Sequence, residues 1–290
     1  MTEEVKIRFC DEKEVGMLKL MVMSALCAPL VAFSGALTDK IAAKYKVTKT
    51  DEWFGGRRTV FDFEGCEAWV VEPPAKTPPA KGMPWTWTMQ WKTAFVPRTG
   101  VPRLLAAGYH HVTLETFVHH MDEKGLSVSK KFQEFLVGEL GFAPKARLIG
   151  MSWGGFFSIR YASVHPESVE KIYLDAPLLN FDGFKGVPKH WAARSVKGGT
   201  WTENPEMPVN RAEPIAKAGI PILLAYGGED QTVPPKHNCE LFVPRFKEAG
   251  GKIEIMKRGL FGHHPHGFDP DKTGAVVKFF GSGIEKSNRN

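Results

Sequence analysis

Gly150-Met151-Ser152-Trp153-Gly154 decides the reading of this chain. The pattern is G-x-S-x-G, and both flanks fit it. Ala146-Arg147-Leu148-Ile149 before it is short and apolar enough for a buried strand, and the run from Gly155 to Ala162 after it can continue as a helix. A serine on a sharp strand-to-helix turn has its hydroxyl pushed out at the sheet edge, and glycines are needed there because neighbouring backbone packs too close for side chains. Ser152 is therefore the candidate nucleophile.

A serine hydroxyl attacks well only when a base takes its proton, and the base is usually a histidine oriented by a carboxylate. On an open α/β sheet these groups come from later strand ends, in the order serine, acid, histidine. The acid candidate is Asp230, a few residues past an apolar run ending at Tyr226. Glu229 is its neighbour and rival, and Asp175, at the end of an earlier strand, is a more distant one. A turn or helix-capping aspartate is the plainer use of Asp230. The base lies in Gly262-His263-His264-Pro265-His266-Gly267. His263 is favoured because it comes first after the last strand and follows glycine; His264 and His266 are the alternatives. Zinc binding is the competing use of such a cluster, but the chain offers no convincing set of distant partner ligands, so no metal is expected. His110, His111, His119 and His120 read as strand and loop histidines, with His119 and His120 able to line a pocket.

The oxyanion of an acyl transfer needs two donors. One is the backbone N–H of Trp153, the residue after the nucleophile. The other is expected just past the strand at Pro84, among Met89, Gln90 and Trp91, with Gln90 as the choice. No H-G-G-G run is present. Trp85, Trp87 and Trp91 read as packing, whereas Trp153 sits beside the nucleophile.

Around these motifs, strands and helices alternate. Arg57 to Phe63 and Glu67 to Val71 read as a hairpin around Gly65, after a polar lead-in from Lys40 to Asp51. Pro73, Pro74, Pro78 and Pro79 mark an exposed loop. Strands are expected at Pro84–Trp91, Tyr109–Glu115, Ala146–Ile149, Lys171–Leu174, Pro221–Tyr226 and Lys252–Met256. Helices are expected to end at Gly108 and to cover Val128–Leu140, Leu241–Ala249 and Thr273–Phe280. Such alternation predicts an α/β fold: a mostly parallel eight-stranded sheet flanked by helices. Residues 178–208 hold His190, Trp191 and Trp201 without periodicity and read as a cap-like excursion over the active site.

The chain has 290 residues, 43% of them hydrophobic, consistent with one large domain. Its net charge is +6, but there is no Lys/Arg run with interleaved aromatics, which argues against a nucleic-acid partner. From Met17, Lys19 precedes an apolar stretch from Leu20 to Phe33 and then Ser34, Gly35 and Ala36. Residues 1–36 therefore read as a secretory signal, with translation starting at Met17 and a mature domain over 37–290. An uncleaved membrane anchor and a packed helix are the other readings. Leu26 stands where lipid attachment at Cys27 would call for a small residue. Export would permit a Cys66–Cys239 bridge, but two separate buried thiols are the simpler reading.

With serine, acid and base in view, the chain resembles the α/β-hydrolase superfamily. Within it, the chain is similar to secreted esterases and prolyl-oligopeptidase-like (S9-like) serine hydrolases found beside polysaccharide-degrading enzymes. The residues that carry the resemblance are Lys81-Gly82-Met83-Pro84-Trp85-Thr86-Trp87, Ile149 to Gly155, Asp175-Ala176-Pro177, Ala218-Gly219-Ile220-Pro221 and Gly262 to Gly267. The resemblance implies a cofactor-free serine hydrolase acting on a small-molecule or oligosaccharide ester, such as an acetylated carbohydrate. A serine peptidase would need a site for a charged peptide terminus or a propeller domain, for which this length leaves no room. A non-catalytic binding protein on the same scaffold would have no use for the intact set. Relatives often carry arginine after the motif serine and after the Pro-Trp strand; here those positions hold Trp153 and Thr88, so specificity does not transfer.

Overall fold

A computed structural model describes residues 35–281. The expected signal or anchor lies outside the described residues except for Gly35 and Ala36. Among the described residues, no helix is long and apolar enough to cross a membrane.

The chain opens with α1 (Ala36–Ala42), β1 (Val47–Trp53), β2 (Gly56–Phe63), β3 (Cys66–Pro74) and β4 (Trp85–Gln90). It continues through α2 (Val101–Ala106), β5 (His110–Leu114), α3 (Glu123–Gly138), β6 (Ala146–Met151), α4 (Trp153–Val164) and β7 (Val169–Asp175). The last third holds α5 (Lys189–Ala192), α6 (Ala212–Lys217), β8 (Ile222–Tyr226), α7 (Cys239–Glu248), β9 (Ile253–Lys257) and α8 (Gly274–Gly281).

The strands form one sheet in the order β1-β2-β3-β5-β4-β6-β7-β8-β9. β1, β2, β3 and β5 pair antiparallel in succession, and the pairings from β5 through β4 to β9 are all parallel. The sheet has nine strands, not the expected eight. The added strand is β1, which begins in the second half of the polar lead-in and runs two residues past it. Val47-Thr48-Lys49-Thr50-Asp51-Glu52-Trp53 lies at the sheet edge with no residue fully buried, so it carries no apolar alternation to betray it.

Central strands bury both faces, and their side chains alternate between two cores. Leu148, Ile172, Leu174, Ile222 and Leu224 face the core built with α1, α3, α4, α5, α6 and α7. Ile149, Tyr173, Leu223 and Ala225 face the core with α2 and α8. Asp122 starts α3 by accepting the Gly125 N–H at 2.9 Å, a side-chain cap for an otherwise unpaired donor. Gln133 on its buried face donates to the Pro144 and Ser168 carbonyls (3.0 and 2.8 Å) and accepts from the Tyr161 hydroxyl (2.7 Å). That fully satisfied amide ties α3 to α4, and the ten residues from Trp153 to Ala162 are all buried. The parallel strands all point their carboxyl ends at one edge, where ligands bind in such sheets. Gln90, Ser152, Asp175, Asp230 and His263 all follow or end strands there.

Candidate active site

Ser152 sits between β6 and α4 with φ 50° and ψ −118°. Such a conformation costs a non-glycine residue about 1–3 kcal/mol, so the surroundings must hold it. The Ser152 N–H donates to the Asp175 carbonyl at 3.0 Å, and the Ser152 carbonyl accepts from Gly155 (2.8 Å) and Leu178 (2.9 Å). Close approach requires glycine at the end of the motif and just after it: a Cβ on Gly154 would lie 2.4 Å from the Gln90 carbonyl oxygen, and one on Gly155 would lie 2.2 Å from the Pro177 Cβ.

The structure brings Ser152, His263 and Asp230 into one chain of hydrogen bonds. His263 Nε2 lies 3.0 Å from Ser152 Oγ, and His263 Nδ1 lies 2.7 Å from Asp230 Oδ2. Asp230 Oδ1 accepts the backbone N–H groups of Thr232 (2.9 Å) and Val233 (2.8 Å). These bonds aim Oδ2 at the imidazole. A carboxylate there places the ring proton on Nδ1 and leaves the Nε2 lone pair facing the serine. Asp230 and His263 are both buried, so the pair is shielded from competing water. Glu229, the rival acid, is exposed.

Trp153 is the first residue of α4, so its N–H lies outside the helical ladder and is available to an anion at the serine. Gln90 ends β4, and its backbone packs on Gly154, as the close approach above shows. Its side chain is engaged elsewhere, Nε2 donating to Glu115 Oε1 at 3.1 Å.

His266 and Asp175, the alternatives to His263 and Asp230, form a second pair of their own. His266 Nδ1 is 2.7 Å from Asp175 Oδ1, and the His263 and His266 ring centroids are 4.7 Å apart. Asp175 is fully buried and also accepts from the Tyr173 hydroxyl (2.8 Å), Arg258 Nη2 (3.0 Å) and the Gly267 N–H (3.0 Å). Burial pushes its carboxyl up, but the bonds from His266 and Tyr173 and the charge of Arg258 outweigh this and hold it below the usual carboxylate range. Burial, then the negative charge of Asp175 beside it, drives the Tyr173 hydroxyl well above its ordinary value. Arg258 Nη1 grips the loop directly, donating to the carbonyls of Pro265 (3.0 Å) and Gly267 (2.8 Å). The sequence reading missed Arg258; its position one residue past β9, just ahead of three histidines, was the available signal.

Of the second histidine group, His110 and His111 are buried in β5, where burial lowers them to about 4 and about 3. They are neutral sheet residues, and His111 Nδ1 bonds Thr86 Oγ1 at 2.9 Å. The His120 ring lies 5.0 Å from that of Trp153. The Trp153 indole is also walled by Phe117, Phe156, Phe181 and Phe184 at 5.5–5.7 Å. Phe181 and Phe184 belong to the 178–208 excursion, so this segment reaches the residue beside the nucleophile. Trp191 in α5 is fully buried and donates its Nε1 to the His120 carbonyl at 3.0 Å. Trp85 and Trp87 are core residues. Cys66 and Cys239 are both buried and free.

Comparison with known proteins agrees with this architecture. The α/β-hydrolase-fold family matches residues 126–199, the segment that carries the nucleophile turn. No curated protein matches the chain in sequence. Among solved structures, dipeptidyl peptidase 4 of Porphyromonas gingivalis aligns with TM-score 0.59 at 14% identity, over 84% of this chain and 37% of its own. An S-formylglutathione hydrolase from Agrobacterium tumefaciens aligns with TM-score 0.57 at 15% identity, over 83% of this chain and 98% of its own. Acetyl xylan esterase 1 from Thermoanaerobacterium sp. aligns with TM-score 0.54 at 16% identity, over 84% and 90%. The chain spans little more than a third of the length of the dipeptidyl peptidases it matches. At these identities the likeness is one of fold. The fold is that of the α/β hydrolases, and the edge where its parallel strands end carries Ser152, His263 and Asp230 in one chain of hydrogen bonds.

Proposed function

We propose that the chain hydrolyses carboxylic esters through an acyl-enzyme. Ser152 Oγ attacks the acyl carbon while His263 Nε2 takes its proton. Asp230 holds the imidazole in the required tautomer and balances the imidazolium that forms. The developing oxyanion is met by the Trp153 N–H and a backbone donor at Gln90. His263 then protonates the departing alcohol, and water, deprotonated by the same nitrogen, releases the acid. The observation that carries this reading is the continuous bonding from Asp230 through His263 to Ser152, at 2.7 and 3.0 Å.

One point favours an ester over a peptide. The residue beside the nucleophile is an indole among aromatic rings, which offers no cation for a peptide's terminal carboxylate. An esterified carbohydrate, such as an acetylated polysaccharide fragment, is the substrate class we infer from the resemblance and from the likeness to acetyl xylan esterase. Residues 17–36 support export. The test is a parallel assay of p-nitrophenyl esters of increasing chain length, acetylated xylan and pectin fragments, and dipeptidyl amides. The reading expects turnover of short esters and release of acetate from the glycans. Turnover of the amides alone would replace it with the peptidase reading.

A further inference from the structure

The histidine loop holds more imidazole than a triad uses. The ring centroids of His263, His264 and His266 form a nearly equilateral triangle with sides of 4.8, 4.7 and 4.9 Å. One nitrogen from each lies within 4.8 Å of the others. We propose that these three residues form an inhibitory site for a divalent transition-metal cation of the Zn2+ type, which when bound takes His263 Nε2 away from Ser152. The inhibitory part rests on His263 being the base, as argued above; the binding part does not.

Two features make the cluster a ligand set. His263 and His266 each turn Nδ1 to a buried carboxylate, Asp230 and Asp175, at 2.7 Å. A carboxylate behind Nδ1 is the usual backing of a metal-bound histidine, because it fixes the tautomer and leaves the Nε2 lone pair outward. His264 is exposed, so the third ligand opens to solvent and gives the ion a way in.

Charge favours a cation here. Asp175 and Asp230 bring two negative charges behind the rings, and Arg258, at 3.0 Å from Asp175, returns one positive. Zinc–nitrogen bonds of 2.0–2.1 Å in a tetrahedron put ligand nitrogens about 3.3 Å apart. The three rings must therefore draw together by up to about 1.5 Å: rotation of the exposed His264 shortens its two sides, and the His263–His266 side closes by a shift of those two rings against their carboxylates. Three histidines and one water would complete four-coordination. A nitrogen bonded to the metal has no lone pair left for the serine proton, so Ser152 stays protonated and unreactive while the ion is bound.

The test uses the full chain freed of metal with EDTA. Calorimetric titration of Zn2+, and of Co2+ followed by its visible absorption, is made into Ser152→Ala, which cannot turn over substrate. One ion per chain with a tetrahedral Co2+ spectrum is expected. In the wild type Zn2+ should abolish ester hydrolysis and EDTA should restore it. His264→Ala, outside the triad, should keep the metal-free rate but weaken both binding and inhibition at least about tenfold. The proposal is overturned by no stoichiometric binding to Ser152→Ala, by unchanged affinity in His264→Ala, or by hydrolysis that rises with Zn2+. Stoichiometric, His264-dependent binding in a chain without esterase activity would support the site and reject the hydrolase reading instead.

Discussion

The Asp175 main chain and side chain bind two different loops of the site: its carbonyl holds the Ser152 N–H at 3.0 Å, and its carboxylate holds His266 Nδ1 at 2.7 Å. One residue at the end of β7 thus joins the nucleophile turn to the histidine loop. Because Arg258 leans on the same carboxylate, removing its charge leaves a guanidinium buried without its partner. Asp175→Asn should destabilise the fold by about 3 kcal/mol, read as a lower urea midpoint. An unchanged midpoint would remove Asp175 from this role.

Asp230 has a different task. Asp230→Asn keeps the shape but favours the wrong histidine tautomer, so kcat should fall by about 10⁴ with the urea midpoint little changed. If activity survives Asp230→Asn and vanishes with a conservative change at Asp175, the acid has been misassigned.

Trp153 offers its backbone to the reaction and its ring to the packing. Trp153→Ala keeps the N–H but empties the space between Phe156, Phe181 and Phe184, and should cost about 3 kcal/mol of stability or more. Its kcat on a small activated ester should stay within about tenfold of wild type. A loss of kcat as large as that of the Asp230 variant would mean the indole itself touches the reacting atoms.

Acid should weaken the fold over two successive pH ranges. His110 and His111 stay neutral in the fold down to about 4 and about 3, whereas in the unfolded chain they charge near 6.5. The unfolded state therefore binds more protons below pH 6.5, and each group removes about 1.4 kcal/mol of stability per pH unit as pH falls toward 4. Asp175, lowered in the fold, adds its loss only below the ordinary carboxylate range. His110→Phe, whose ring would meet Phe142 where the imidazole does now (4.8 Å), should reduce the upper slope by about 1.4 kcal/mol per pH unit. Urea midpoints between pH 7 and 4 measure it; an equal slope in the variant would contradict it.

The nucleophile turn, the strand alternation and the order serine, acid, histidine could be read from the sequence because each rests on local pattern: a G-x-S-x-G between apolar strand and helix, and polar residues just past apolar runs. β1 could not, since a polar edge strand has no buried face to impose period two. The Asp175–Arg258–His266 clamp was invisible for another reason. Its members are 83 and 91 residues apart from Asp175, and only the closing of the sheet brings them together. Asp175 and His266 were noticed as rivals for the triad, and the structure shows why both kinds of residue occur twice at this edge.

The most direct measurement is labelling of the folded chain with a fluorophosphonate, followed by intact mass and peptide mapping. One adduct per chain, on Ser152, lost in His263→Ala, is the predicted result. A folded chain that takes no label, or takes it at another residue, would contradict the account.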